Sequence, residues 1–495
     1  MSREEYWNDG VVNKILQGGY EKCYNVSNPE RKGCYFMQDK LALPIGVTSY
    51  KEVCDGYYYA DKTLLIKDFL DEQVKIALFT RPRRFGKTLN MDMLRTFFEK
   101  TDENTSRYFV NKKIWQQGEK YTQHQGRYPV IFISLKDVKA SSWQDAFDIL
   151  KYTIVTEYSR HAELEKSSRI SLADTAFYRR IITNTASNVD YMFSIQALSR
   201  MLHSYYGEQA IIIIDEYDTP IQEGYINRYY KQVVEFIRNF FSSALKDNQH
   251  MKFGILTGIL RIAKESIFSG LNNIRIYSVL DNKFSAYFGF VSEEIQQMAS
   301  YYNAVDKLQE LREWYDGYKF GRTDIYNPWS VLYYFSSEHQ AMPFWVQTSG
   351  NAVIREILQS LNGAVCDNLR ALLDGTAIES GIETNIIYPS LKDLQNNIFG
   401  FLLMTGYLKS TETSVNKNGV YVCKLEIPNK EIRSIYFNEI LSLLNQNADL
   451  KLLAQTALEQ IECQKYDTEL LRQGVEMVYK YGIAFCGKDV EIVTN

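Results

Sequence analysis

The chain has 495 residues, 45% hydrophobic and 23% charged, with a net charge of −4 and only nine prolines. That length exceeds one ordinary core and predicts two or three domains of globular composition. The acidic balance gives no support to nucleic-acid binding driven by overall charge, although a local basic patch is left open. No stretch reaches the roughly 18 consecutive apolar residues that a membrane span needs, and no apolar segment follows the polar start Met1-Ser2-Arg3, so a cytoplasmic protein without a signal peptide is expected. The seven cysteines form no CxxC pair, and the five histidines are not at ligand spacing. Reduced thiols are therefore expected, and zinc or cysteine–histidine chemistry is not.

Residues 1–40 are polar and turn-rich and read as an extension. A buried strand is predicted at Val74–Thr80, followed by a loop at Arg81–Gly86 and a helix at Lys87–Lys100. A second strand is expected at Tyr128–Leu135, and a mainly helical region at 142–206. The third strand runs through Ala210–Ile214 to Asp215, and a helix follows at Tyr229–Leu245. The fourth and fifth strands are Lys252–Thr257 and Ile274–Val279. Strands alternating with helices predict an α/β fold with a mostly parallel sheet. The expected division is an extension at 1–40, the α/β domain at 41–290, a helical domain at 291–410, and a short C-terminal α+β remnant at 420–495.

Two strings carry chemistry. The first is Arg81-Pro82-Arg83-Arg84-Phe85-Gly86-Lys87-Thr88 between a strand and a helix. It fits the P-loop G-x-x-x-x-G-K-[ST], with Arg81 in place of the first glycine. Loop N–H groups of Arg83, Arg84, Phe85 and Gly86 and the helix start suit phosphate oxygens. Lys87 suits the β and γ phosphates, and the Thr88 hydroxyl suits Mg²⁺. Arg83 and Arg84 either add charge at the phosphates or face solvent. A helix start that happens to carry a lysine is the plainer reading of this string alone.

The second string is Ile211-Ile212-Ile213-Ile214-Asp215-Glu216-Tyr217-Asp218. Four apolar residues delivering an acid at a strand end have the Walker B form. Asp215 is expected to hold Mg²⁺ through its water shell, and Glu216 to orient or deprotonate the attacking water. Asp218 either assists or caps the turn before Pro220. Thr257, at the end of the fourth strand, is the candidate γ-phosphate sensor, with Arg261 and Lys264 beyond it. Both strings, in order and each on its own strand, predict a P-loop nucleoside triphosphatase with an inserted sensor strand.

With these residues in place, the chain resembles the bacterial AAA-ATPase-like proteins often fused to a PD-(D/E)xK nuclease domain. Further strings carry the resemblance: Leu43-Pro44-Ile45-Gly46, Tyr59-Ala60-Asp61-Lys62-Thr63, Ser269-Gly270-Leu271-Asn272-Asn273, Trp314-Tyr315-Asp316-Gly317-Tyr318 and Tyr326-Asn327-Pro328-Trp329-Ser330. It covers roughly residues 40–350. The family's usual form has arginine at the position of Arg81. The resemblance implies ATP rather than GTP, an ATPase core, and a following helical segment for which a winged-helix form is one option. The tail, from Ala457-Leu458-Glu459 to Tyr481-Gly482-Ile483-Ala484-Phe485, is similar to the end of the family's nuclease domain. Between Pro428 and Ala457 no Gly-Arg-x-Asp occurs, nor a Glu-x-Lys ending an apolar strand, so a truncated nuclease lacking its acids is expected.

The reading is an ATP-binding, Mg²⁺-dependent ATPase. Its alternatives are a nucleotide-gated switch with little hydrolysis and an ATPase that regulates a DNA-processing partner. A protein partner or a second copy of the chain is left open. The two aromatic strings, Trp314–Tyr318 and Tyr326–Ser330, read as core packing and a turn between domains in preference to ligand contact.

Overall fold

The computed structural model describes residues 40–262, 273–345, 363–384, 395–436, 450–463, 467–472, 474–475, 477–486 and 489–494. Its centre is a five-stranded sheet of β1 (Ile76–Thr80), β2 (Val130–Ser134), β3 (Ala210–Asp215), β4 (Met251–Gly258) and β5 (Ile274–Tyr277). The order is β2-β3-β4-β1-β5, and every pairing is parallel. β4 therefore stands between the strands that carry the two motifs, as the sensor-strand reading requires. β1 and β3 are buried along their whole length, which is why both are unbroken apolar runs without alternation.

Helices cover the sheet. Lys87–Phe98 packs on β2 and β3, Trp143–Arg160 on β2, and Ser194–Tyr206 on β3. Each presents an apolar stripe: Met91, Leu94, Phe97 and Phe98 on the first, and Phe147, Leu150, Ile154 and Tyr158 on the second, are buried. Parallel strands end together, so the loops after β1, β3 and β4 gather at one edge, where open α/β sheets place ligand sites.

Beyond residue 290 the chain is helical over 292–336, as expected, with short strands interspersed that the sequence did not announce. A hairpin joins β6 (Tyr318–Phe320) to β7 (Thr323–Ile325). A three-stranded antiparallel sheet then contains β8 (Ile378–Ile382), β9 (Lys409–Val415) and β10 (Tyr421–Glu426), in the order β8-β10-β9. Helix Gly363–Leu373 precedes β8, and Gln395–Met404 precedes β9. These strands are short or polar on one side, and β9 reads Lys-Ser-Thr-Glu-Thr-Ser-Val, so the apolar signal of a buried strand is missing. The antiparallel pair β11 (Tyr481–Cys486) and β12 (Asp489–Thr494) follows, packed on helix Leu450–Cys463. The search for nuclease acids between Pro428 and Ala457 falls partly on 437–449, outside the described residues.

One apolar cluster runs from the sheet residues Leu78 and Ile213 through Phe85, Tyr318 and Phe320 to Ile378, Cys423 and Ile432. The α/β layer and the 363–436 segment thus share a core that passes directly beneath the loop after β1. A second cluster, with Ile295, Leu311, Tyr315, Tyr334 and Phe344, fills the helices at 292–336.

Candidate functional site

The loop after β1 is anchored from below by Arg81. Its side chain is fully buried and donates to the carbonyls of Thr80 and Tyr277, both at 2.8 Å. The guanidinium also lies over the rings of Phe288 and Phe320, about 5 Å from each centroid. Burial lowers its pKa to about 9. The position where a P-loop ordinarily has glycine is therefore occupied by an arginine that ties together the ends of β1 and β5. Phe85 points inward as well, edge-on to Tyr318 with centroids 4.9 Å apart. It therefore offers a bound molecule its backbone only.

Gly86 has φ +77°, a left-handed conformation that glycine adopts without steric cost, and caps the helix Lys87–Phe98. Lys87 is buried and donates to the carbonyls of Arg81, 3.1 Å, and Pro82, 2.9 Å. Burial lowers its pKa, while Glu216, Asp215 and Asp218 pull the other way. A buried ammonium held by loop carbonyls, with acids close but not in ion-pair contact, is suited to an anion such as phosphate.

The two motifs meet at Asp215. The Thr88 hydroxyl donates to its Oδ2 at 2.7 Å, and the Thr257 hydroxyl donates to its Oδ1. Thr257 Oγ1 in turn accepts the Glu216 N–H at 3.2 Å. Burial pushes the Asp215 carboxyl up, and the two hydroxyls oppose that. Thr257 is fully buried. Its hydroxyl is engaged by the Asp215 carboxylate and the Glu216 N–H.

Glu216 has φ +53°, an uncommon conformation for a residue with a Cβ, of the kind that collects at functional sites. Its carboxylate accepts from the Thr219 hydroxyl at 3.2 Å. Asp218 is structural: its Oδ2 accepts the N–H groups of Ile259, 2.8 Å, and Leu260, 2.9 Å. Gly258 makes this turn possible, because a Cβ there would sit 2.5 Å from the Tyr217 ring and 2.8 Å from Asp218 Oδ1.

Arg83 and Arg84 diverge. Arg83 crosses to Gln222 on the helix Thr219–Ile226, donating at 3.0 Å, and so bridges the two motif loops. Arg84 turns away and stacks on Trp329, 3.8 Å from the ring centroid. Sequence reasoning missed Gln222 and Thr219, neither of which stands in a recognisable motif of its own, and took Trp329, in the string Tyr326–Ser330, for packing. Arg261 is partly exposed, and Lys264 and Ser269–Asn272 lie outside the described residues. Asp61 and Lys62 are fastenings: Asp61 accepts from Thr63 and from the Lys113 N–H, and Lys62 pairs with Glu294 at 2.6 Å.

The donor set suits magnesium. Asp215 and Thr88 offer a carboxylate and a hydroxyl, hard oxygen donors of the kind magnesium takes, and phosphate and water would complete its shell. Among the described residues no group of three histidine, cysteine or acidic side chains could hold a metal by itself, so this ion would need the phosphates. No described helix is long and apolar enough to cross a membrane.

Residues 44–268 match the family model described as Predicted AAA-ATPase. An uncharacterized protein in the vnfD 5′ region of Azotobacter chroococcum mcd 1 is 27% identical over 406 residues, which span 81% of this chain and 70% of that protein.

Proposed function

We propose that the chain, whose residues 44–268 match the model described as Predicted AAA-ATPase, binds ATP with Mg²⁺ on the loop Arg81–Thr88 and hydrolyses the β–γ bond. The observation that carries the reading is the convergence of Thr88 and Thr257 on the two oxygens of Asp215, beside the buried Lys87.

In this reading Lys87 exchanges its carbonyl partners for β- and γ-phosphate oxygens, and the N–H groups of Arg83–Gly86 surround the β-phosphate. Thr88 and Asp215 would hold Mg²⁺, which supplies charge neutralisation at the phosphates. Glu216 orients the attacking water and takes its proton. Thr257 is a positioning residue that fixes the Asp215 carboxylate and the Glu216 backbone. Arg83, beside Lys87 and within reach of Gln222, adds positive charge on the γ-phosphate side.

A switch with slow turnover is the second reading, favoured by the hydrogen bond from Thr219 to Glu216, which competes with a water for the carboxylate. Cleavage of DNA is not part of the proposal. Incubation of the purified chain with DNA in Mg²⁺ or Mn²⁺ should leave the DNA intact, and cleavage would reinstate a nuclease centre. ATP binding followed by multiple-turnover phosphate release, with Mg²⁺ or EDTA, tests the proposal and separates its two readings.

A further inference from the structure

Arg84, whose side chain the proposed hydrolysis does not use, lies against Trp329 of the string Tyr326–Ser330. Its φ is +70°, so the loop holds two left-handed residues, Arg84 and Gly86. Alternating right- and left-handed residues turn successive N–H groups into one concavity, the arrangement that cradles a phosphate. Glycine adopts this shape freely, whereas Arg84 meets a steric cost. Something must hold Arg84 there.

The guanidinium lies over the Trp329 ring, 3.8 Å from its centroid, with Nη1 buried and making no hydrogen bond. Its attachment is therefore the ring face, an attraction strengthened by desolvation. Trp329 is itself fixed. Its backbone N–H donates to the Asn327 side chain at 3.0 Å, at the start of helix Pro328–Ser336. Its neighbour Ser330 donates to both oxygens of Glu431 at 2.9 Å. Glu431 is fully buried and also accepts the Trp345 N–H at 2.8 Å. Asn429 closes the arrangement by donating to the Asp316 carbonyl at 2.7 Å. The carboxylate attracts Arg84 without an ion pair between them.

We propose that Trp329 is a positioning residue for the nucleotide site, holding Arg84 in the left-handed conformation that shapes the phosphate-binding loop, with Ser330 and Glu431 fixing Trp329 in turn. The proposal rests on nucleotide binding at that loop. It makes affinity for ATP depend on residues of the 327–345 and 427–431 segments that touch no phosphate. By reciprocity, bound nucleotide stabilises the packing of those segments.

The test measures affinity for a fluorescent ATP analogue, KM and kcat on folded protein, with thermal unfolding as the check on folding. Trp329→Ala is expected to weaken binding roughly tenfold and raise KM, leaving kcat nearly unchanged because Asp215, Glu216 and Thr257 are untouched. Trp329→Phe, which keeps the packing and weakens the stack, should fall between it and the native chain. The decisive variant is Arg84→Gly, since glycine takes the left-handed conformation unaided: in that background Trp329→Ala should weaken binding no further. Native binding that Trp329→Ala leaves unchanged, or an equal loss in both backgrounds, would overturn this proposal alone. Failure of the native chain to bind the analogue at all would instead overturn the proposed function.

Discussion

Thr88 and Asp215, 127 residues apart in the chain, are joined by one hydrogen bond of 2.7 Å. That bond brings the helix after β1 to the end of β3 and aligns a hydroxyl with a carboxylate. Replacing Thr88 by alanine should reduce Mg²⁺-dependent hydrolysis on the order of 10²-fold, whereas serine, which keeps the hydroxyl, should retain most activity. Phosphate release titrated against Mg²⁺ checks this, and full activity of Thr88→Ala would remove the hydroxyl from the metal site.

Thr257 links Asp215 to the Glu216 backbone. Thr257→Val keeps the shape but leaves an acid oxygen and an N–H unpaired, at a cost of about 1–3 kcal/mol. The expected outcome is a lower melting temperature and a lower kcat, both largely restored in Thr257→Ser. A normal kcat in the valine variant would show that the hydroxyl positions nothing that reacts.

Arg81 makes an unusual forecast. Restoring the common P-loop glycine with Arg81→Gly should destabilise the protein, by about 2–4 kcal/mol, because the buried Thr80 and Tyr277 carbonyls lose their donor and a cavity opens beside Phe288 and Phe320. Chemical denaturation reads the loss. An unchanged unfolding midpoint would mean that the guanidinium contributes nothing net.

Glu431 gives a pH dependence. Burial pushes its carboxyl up from 4.5 to about 7, against the attraction of Arg84 and the donors Ser330 and Trp345. Tyr315 and Tyr318 lie close enough to feel its charge. The folded state thus keeps a proton that the unfolded chain releases. Its contribution is complete below pH 4.5 and is lost as pH rises through about 7, a swing of roughly 3 kcal/mol. Glu431→Gln should flatten the fall in melting temperature over that window, and an unchanged pH profile would assign the slope to other groups.

The sheet and the core of the site were legible because buried parallel strands leave a plain trace. Ile211–Ile214 is an apolar run ending in an acid, and Ala77–Phe79 leads straight into Arg81–Thr88. Local order also fixed the helix at Lys87. The inward turn of Arg81 was not legible, since nothing in the string distinguishes an arginine folded under a sheet from one facing solvent. Trp329 and Glu431 were read as packing or passed over: they reach the loop only through tertiary contacts of high sequence separation, which impose no period. β9 was missed because half of its serines, threonines and charges face water, so the stretch lacks the apolar run of a buried strand.

The central claim is ATP hydrolysis at the joined loops, and its most direct test is ATP binding and multiple-turnover phosphate release for the native chain, Lys87→Ala and Glu216→Gln, with Mg²⁺ and with EDTA. The account predicts Mg²⁺-dependent turnover by the native chain, no binding by Lys87→Ala, and ATP bound but not hydrolysed by Glu216→Gln, with kcat lower by about 10²-fold or more. Folded native protein that binds no ATP would contradict it.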